Sequence, residues 1–210
     1  MRGPVAAVIL AAGCSSRMGA FKPLLPFGES TVLERAIALF RTAGIEDVRV
    51  VVGHRAVELL PLLARLRVRP LFNARYREGM FSSVVTAAAS FETKSGAFFL
   101  LPADFPLVRR QTVAMLLRAG RSSGAGILYP AFRGRRGHPP LLAAAYRDVI
   151  RSWPGAGGLQ ALLRQHQGDA ALIETGDEGI LLDMDTPADY QRLRSRAMEG
   201  SQSERENRKE

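Results

Sequence analysis

The residues best suited to do chemistry lie in one string near the N-terminus, Leu10-Ala-Ala-Gly-Cys-Ser-Ser-Arg17-Met-Gly-Ala-Phe-Lys22-Pro-Leu-Leu-Pro26. From Ala11 to Ser16 every side chain is small. Backbone N–H groups can therefore converge on an anion without obstruction, and a loop of this kind wraps phosphates. Arg17 and Lys22 add fixed positive charge beside it. The string is neither the Walker pattern G-x-x-x-x-G-K-[ST] nor the dinucleotide pattern G-x-G-x-x-G. A plain strand-to-helix turn would account for Gly13 or Ser15 alone, but not for the whole string with its two cations.

Candidate carboxylates stand far along the chain. Asp104 lies between Pro102 and Pro106, which hold the backbone extended. A carboxylate placed across from a phosphate loop suits magnesium, which takes one or two carboxylates and completes its shell with substrate phosphates. Taken alone, Asp104 would equally be a helix cap or an Asx-turn. Asp183 and Asp185 are two apart at the end of an apolar run, which puts both on one face of an extended strand. Like charges this close favour a nearby cation. Asp185 also reads as a cap for the last helix, with Pro187 in its first turn. The expectation is Asp183 toward the metal and Asp185 as cap or supporting group.

Gly79, Ser82 and Ser83 could form a second anion-binding helix start, although an ordinary N-cap explains Ser82 as well. Gly137-His138-Pro139 follows Arg133, Arg135 and Arg136, a combination that suits a phosphomonoester and would otherwise be a solvated loop. Cys14 has no base identifiable near it in the sequence, and reads as a small packing residue. One cysteine with histidines at 54, 138 and 166 supports neither a disulfide nor a zinc site, which fits a reducing cytoplasm.

These residues need a scaffold that brings strand ends together. Apolar runs at Val5 to Ala11, Asp47 to Val52, Val68 to Phe72 and Ala97 to Leu101 read as strands of a parallel sheet. Short strands follow at Ile127 to Tyr129, Pro140 to Leu142, Ala170 to Glu174 and Ile180 to Leu182. Helical patterns alternate with them. One starts at a capping box, Thr31-Val-Leu-Glu34, and runs to Ala43. The others span Arg55 to Arg67, where Pro61 should break or kink the helix, then Ser82 to Phe91, Thr112 to Ala119, Gly158 to Gln165 and Pro187 to Met198. The alternation predicts a single-domain, Rossmann-like, three-layer α/β/α fold over 1–198, with ligands beyond the carboxyl ends of the strands. Residues 199–210 read as a polar, disordered tail.

At 210 residues the chain is long enough for one sizeable domain, and no apolar stretch is long enough to span a membrane or to serve as a signal peptide. Its formal charge of +9 would suit a polyanion. Only 7% of residues are aromatic, with no basic–aromatic interleaving, so stacking platforms for nucleic acid are absent.

The first string, Leu-Ala-Ala-Gly-x-Ser-Ser-Arg-Met-Gly-x-x-Lys-x-Leu-Leu-Pro, resembles the signature of GT-A-like nucleotidyltransferases, and within them the molybdenum cofactor cytidylyltransferases and their guanylyltransferase relatives. Asn73-Ala-Arg-Tyr-Arg-Glu-Gly79-Met-Phe-Ser-Ser83, Pro102-Ala-Asp104-Phe-Pro106, Gly137-His-Pro139 and Asp183-Met-Asp185-Thr-Pro187 follow in that family's order. The resemblance implies a magnesium-dependent transfer of a nucleoside monophosphate onto the terminal phosphate of a molybdopterin-type cofactor, releasing pyrophosphate. It implies nucleotide contacts from Leu10, Ala11, Ala12, Gly13, Ser15, Ser16, Arg17, Lys22, Asn73, Ser83 and Asp104. Arg17, Lys22 and Asp104 would be catalytic, Asp104 and Asp183 would hold the metal, and His138 and Arg136 would meet the acceptor. Leu-Ala-Ala-Gly, where guanine users tend to carry Leu-Ala-Gly-Gly, favours CTP. A molybdoenzyme or its chaperone would receive the product. Three alternatives stay open: guanylyl transfer or a sugar or alcohol phosphate acceptor, a noncatalytic nucleotide or cofactor carrier, and a nucleic-acid-binding domain suggested by charge alone.

Overall fold

The structure, a computed structural model, describes residues 1, 3–91 and 96–206, with side chains as far as Glu199. Its strands are β1 (Val5–Leu10), β2 (Pro26–Phe27), β3 (Ser30–Thr31), β4 (Val48–Val52), β5 (Arg69–Phe72), β6 (Ala97–Pro102), β7 (Ile127–Phe132), β8 (Arg135–Arg136), β9 (Leu141–Ala143) and β10 (Ala170–Glu174). Its helices are α1 (Val32–Thr42), α2 (Ala56–Arg65), α3 (Met80–Ala89), α4 (Arg110–Ser122), α5 (Tyr146–Ser152), α6 (Gly158–Gln165) and α7 (Pro187–Glu206).

One sheet runs in the order β10-β7-β9-β6-β1-β4-β5, with β8 added on β7. β6, β1, β4 and β5 are parallel neighbours, and β10 is parallel to β7. β9 is wedged antiparallel between β6 and β7, and β8 pairs antiparallel with β7. Alternation along each strand divides the core between the two faces of the sheet. Ala7, Ile9, Val50, Val52, Phe99 and Leu101 pack against α1, α2 and α4. Ala6, Val8, Val51, Phe98 and Leu100 pack against α3, α5 and α6. This is the expected three-layer α/β fold with a mostly parallel sheet. A smaller cluster of Met18, Phe27, Val32, Met184 and Leu193 seats the β2–β3 hairpin and α7 beside the first loop.

Local signals explain most boundaries. The Thr31 hydroxyl accepts from the Glu34 N–H while the Glu34 carboxylate accepts from the Thr31 N–H, so the capping box starts α1 as expected. α5 and the short strands β2, β3 and β8 have no counterpart in the sequence reading, and three further elements differ from it. α2 passes through Pro61 without ending, because buried Leu59, Leu62 and Leu63 carry the helix on both sides of the one missing N–H. Glu178–Leu181 is a 3₁₀ turn rather than a strand. The buried Asp177 carboxylate imposes that turn by accepting from the Gly179 and Arg109 N–H groups and the Thr112 hydroxyl. α7 continues past Met198 to Glu206, through residues expected in the tail; positions 207–210 lie outside the described residues. Among the described residues no helix is long and apolar enough to cross a membrane.

Candidate active site

The first loop leaves the sheet where β1 runs out of partners. The Ala11 N–H still bonds to Val51 O, and Ala12 O accepts from the His54 N–H. Beyond them the N–H groups of Gly13, Cys14, Ser16 and Arg17 find no protein acceptor among the described residues. Ser15 turns the chain with a left-handed φ of 52°, its carbonyl accepting from the Met18 N–H and its hydroxyl from the Lys22 N–H. Buried Phe21 then anchors the 3₁₀ turn Lys22–Leu24, with Pro23 early in it. A fixed loop with unsatisfied donors next to two cations is built to receive phosphate oxygens.

Lys22 is the centre of the charge cluster. Its Nζ lies 2.9 Å from Asp185 Oδ1 and 3.2 Å from Asp104 Oδ2, and only 12% of its side chain is exposed. Arg17 reaches Asp185 Oδ2 at 2.8 Å. Asp104 is brought there by β6, which ends at Pro102, and by its own carbonyl, which accepts from the Met184 N–H. Burial raises the Asp104 carboxyl above the usual carboxylate range, and the Asp185 charge adds to that, while Lys22 opposes both.

Of the two late aspartates, Asp185 rather than Asp183 meets the charge cluster. Asp185 faces Lys22 and Arg17, whereas Asp183 is exposed and contacts none of Lys22, Arg17 and Asp104 among the described residues. Asp185 does not cap α7. The reciprocal cap is made by Thr186 and Asp189, whose carboxylate accepts from the Thr186 N–H and hydroxyl while the Thr186 hydroxyl accepts from the Asp189 N–H. Met184 decides which of the two does so. Its side chain is fully buried and its N–H is tied to Asp104, which turns its C-terminal neighbour toward Lys22 and Arg17.

A cleft of about 390 Å³ is lined by Leu10, Ala11, Ala12, Gly13, Ser15, Lys22, Ser83 and Asp104. Gly79, a candidate from the sequence, stands in the opposite wall together with Tyr76, Arg77 and Met80, which carry no local signal for a site. Cys14 is exposed in this cleft rather than packed. Asn73 stands behind the wall. It is 4% exposed, its Nδ2 donates to the Ser82 and Ser83 hydroxyls at 2.8 and 3.0 Å, and its Oδ1 accepts from the Arg75 N–H. Its amide is thus consumed in holding the start of α3, so it shapes the cleft without lining it. Gly53 leaves the room that Tyr76 occupies, since a Cβ there would lie 2.7 Å from Tyr76 Cβ and 2.9 Å from Ala12 Cβ.

Ser16, Arg17, His138, Arg136 and Asp183 do not line this cleft. His138 packs on Phe105, the residue after Asp104, with ring centroids 4.6 Å apart. Its buried Nδ1 has no hydrogen-bond partner among the described residues. Burial lowers its pKa to about 4, so the ring is neutral, with only the Asp183 charge pulling the other way. Arg136 is exposed and lies over the Tyr129 ring at 5.3 Å.

The two carboxylates Asp104 and Asp185 suit a hard divalent cation that takes its remaining oxygens from phosphates and water. No group of three or more metal-binding side chains gathers among the described residues. A parallel sheet whose strand ends present an N–H-lined loop, two cations and two carboxylates defines a phosphate-handling enzyme of the nucleotidyltransferase class. Residues 7–170 match the MobA-like NTP transferase domain, and the chain belongs to that family of nucleotidyltransferases. It is 30% identical over 185 residues to the molybdenum cofactor cytidylyltransferase of Escherichia coli K12, covering 87% of this chain and 92% of that one. It is 33% identical over 201 residues to the nicotine blue oxidoreductase of Paenarthrobacter nicotinovorans, covering 90% and 96%. The crystal structure of the Mycobacterium tuberculosis Rv0371c homologue from Mycobacterium sp. strain JC1 superposes with a TM-score of 0.79 at 26% identity, over 95% of this chain and 99% of that one.

Proposed function

We propose that the chain transfers CMP from CTP to the terminal phosphate of a molybdopterin-type cofactor in the cytoplasm, with magnesium. The observation that carries this reading is Lys22, held between Asp104 and Asp185 at the mouth of a loop with unsatisfied N–H groups. Its support for the particular substrates is the similarity to a relative named molybdenum cofactor cytidylyltransferase.

The N–H groups of Gly13 to Arg17 would cradle the β- and γ-phosphates. Arg17, 71% exposed at the loop's edge, would neutralise charge gathering on the leaving pyrophosphate. Lys22 would move from its carboxylates toward the α-phosphate and the incoming acceptor oxygen. Asp104 and Asp185 would hold magnesium, which supplies charge neutralisation at the α-phosphorus. The chemistry is positioning and electrostatic stabilisation, with no covalent enzyme intermediate. His138 and Arg136 stand on the β7–β9 side, where the acceptor would enter, and the Nδ1 left free on a neutral His138 is suited to a ligand or water. A molybdoenzyme or its chaperone would take the product.

The test is a panel of CTP, GTP, ATP and UTP against molybdopterin and sugar phosphates, reading pyrophosphate release. A second reading rests on the relative named nicotine blue oxidoreductase. In it, the same loop would hold the pyrophosphate of a redox dinucleotide, and the panel would release no pyrophosphate with any acceptor while a nicotinamide dinucleotide bound instead.

A further inference from the structure

We propose that Arg77 is a phosphate-binding residue that meets the triphosphate from the wall opposite Arg17. The inference starts from charge. Lys22 faces two carboxylates and Arg17 faces one of the same two, so this cluster of cations is cancelled by Asp104 and Asp185 before any ligand arrives. A triphosphate stays anionic even with one divalent cation bound, and an unmatched negative charge in a half-enclosed cleft is unfavourable. The site calls for one more cation, and Arg77 is free to supply it.

Arg77 lines the cleft together with Cys14, Ser15 and Lys22. Among the described residues it has no carboxylate partner, whereas neighbouring Arg75 faces Glu78 at 3.8 Å. Its contacts are with Tyr76, whose hydroxyl accepts from Nε at 3.3 Å and whose ring lies 5.8 Å beneath the guanidinium. Tyr76 is itself fixed, with Cβ against Gly53 and the ring tilted over His54 at 6.0 Å. Arg77 lines the cleft with Cys14 and Ser15, which puts it beside the loop whose N–H groups lack partners. A guanidinium with free N–H donors, propped on a fixed ring and facing an anion-binding loop, suits bidentate contact with phosphate oxygens.

The inference rests on the nucleotidyltransferase reading but not on CTP or on the acceptor, so its probe is inorganic tripolyphosphate, which has neither base nor acceptor. Binding of tripolyphosphate, CTP and GTP to the full chain with magnesium is measured by titration calorimetry for the unmodified protein, Arg77→Ala and Arg77→Lys. Arg77→Ala is expected to weaken all three by the same factor, ~10-fold or more, as for loss of a charge-assisted contact. Arg77→Lys should recover part of the loss, and the melting temperature should stay unchanged because the side chain is exposed. Unaltered tripolyphosphate binding in Arg77→Ala overturns the proposal. So does a loss confined to one of the two nucleotides, which would assign Arg77 to the base.

Discussion

Lys22 Nζ and Asp185 Oδ1 stand 2.9 Å apart across 163 positions of sequence. That contact ties the first loop to the segment entering the last helix, with Asp104 completing the bridge at 3.2 Å. Each of the three segments follows an apolar run packed elsewhere, so core formation delivers them to one end of the sheet. Lys22 therefore has a structural duty as well as a catalytic one: it separates two carboxylates that would otherwise repel.

The two cations should respond differently to removal. Arg17→Ala should leave the melting temperature unchanged, since its side chain is exposed. Lys22→Ala should lower it by a few degrees, on the order of 1 kcal/mol, because Asp104 and Asp185 lose their shared partner. Both should reduce turnover by ~10²–10³ while retaining the fold. Pyrophosphate release and near-ultraviolet dichroism check this, and near-normal turnover in a folded Lys22→Ala would remove Lys22 from the chemistry.

The aspartates give a sharper test, because the geometry reverses the order expected from sequence. Asp104→Asn and Asp185→Asn should each collapse activity and raise the magnesium concentration needed for half-maximal rate. Asp183→Asn should leave that requirement near normal, since its carboxylate contacts none of Lys22, Arg17 and Asp104. A magnesium titration in which Asp183→Asn is the more severe of the two late variants would return the metal to Asp183.

That reversal marks where sequence reading stopped. The loop from Leu10 to Lys22 was legible because small residues, a buried strand and two cations are local signals, and the Thr31–Glu34 cap was equally local. The spacing of Asp183 and Asp185 put both on one strand face. No strand forms there, and burial of Met184 with Phe27 and Leu193, far away in sequence, orients the pair. Asn73 shows the same limit. The resemblance implies a nucleotide contact for it, and no local signal shows that serines nine and ten positions later take its amide. The turn at Glu178–Leu181 carries an apolar pair that reads as strand, and only the buried Asp177 makes it a turn.

His138 should set the stability of the protein on the acid side. Burial, the larger cause, lowers its folded pKa to about 4 against an unfolded value of 6.5. The unfolded chain therefore binds a proton that the folded chain refuses between those values, and stability present above pH 6.5 is lost as pH falls toward 4. The full loss is on the order of 3 kcal/mol. Asp104, whose pKa is raised, acts with the opposite sign, but around its own titration range. Urea denaturation from pH 7 to pH 5 should show a falling midpoint that His138→Gln flattens. An equal slope in both proteins would mean that His138 titrates normally.

The choice of base follows from Ala12 and its neighbours. Ala12 lines the cleft and is 3% exposed, with its methyl 2.9 Å from the position a Gly53 Cβ would take. The methyl takes up volume at the wall of the cleft that a glycine would leave free, and a purine ring needs more room than a pyrimidine. Rejection by bad contact adds to whatever favourable contacts achieve. CTP should be preferred over GTP by ~10-fold or more, which takes only about 1.4 kcal/mol, and ATP should be poor for the same reason. Ala12→Gly should narrow the gap without inverting it, because the hydrogen bonds to the base edge are unchanged. Gly53→Ala, whose new Cβ meets two other Cβ atoms rather than flexible side-chain ends, should destabilise the fold by about 1–3 kcal/mol and lower turnover with every base alike. Comparing kcat/KM for each triphosphate with one acceptor decides the matter. A GTP preference in the unmodified protein would end the cytidylyl reading and leave nucleotidyl transfer itself standing.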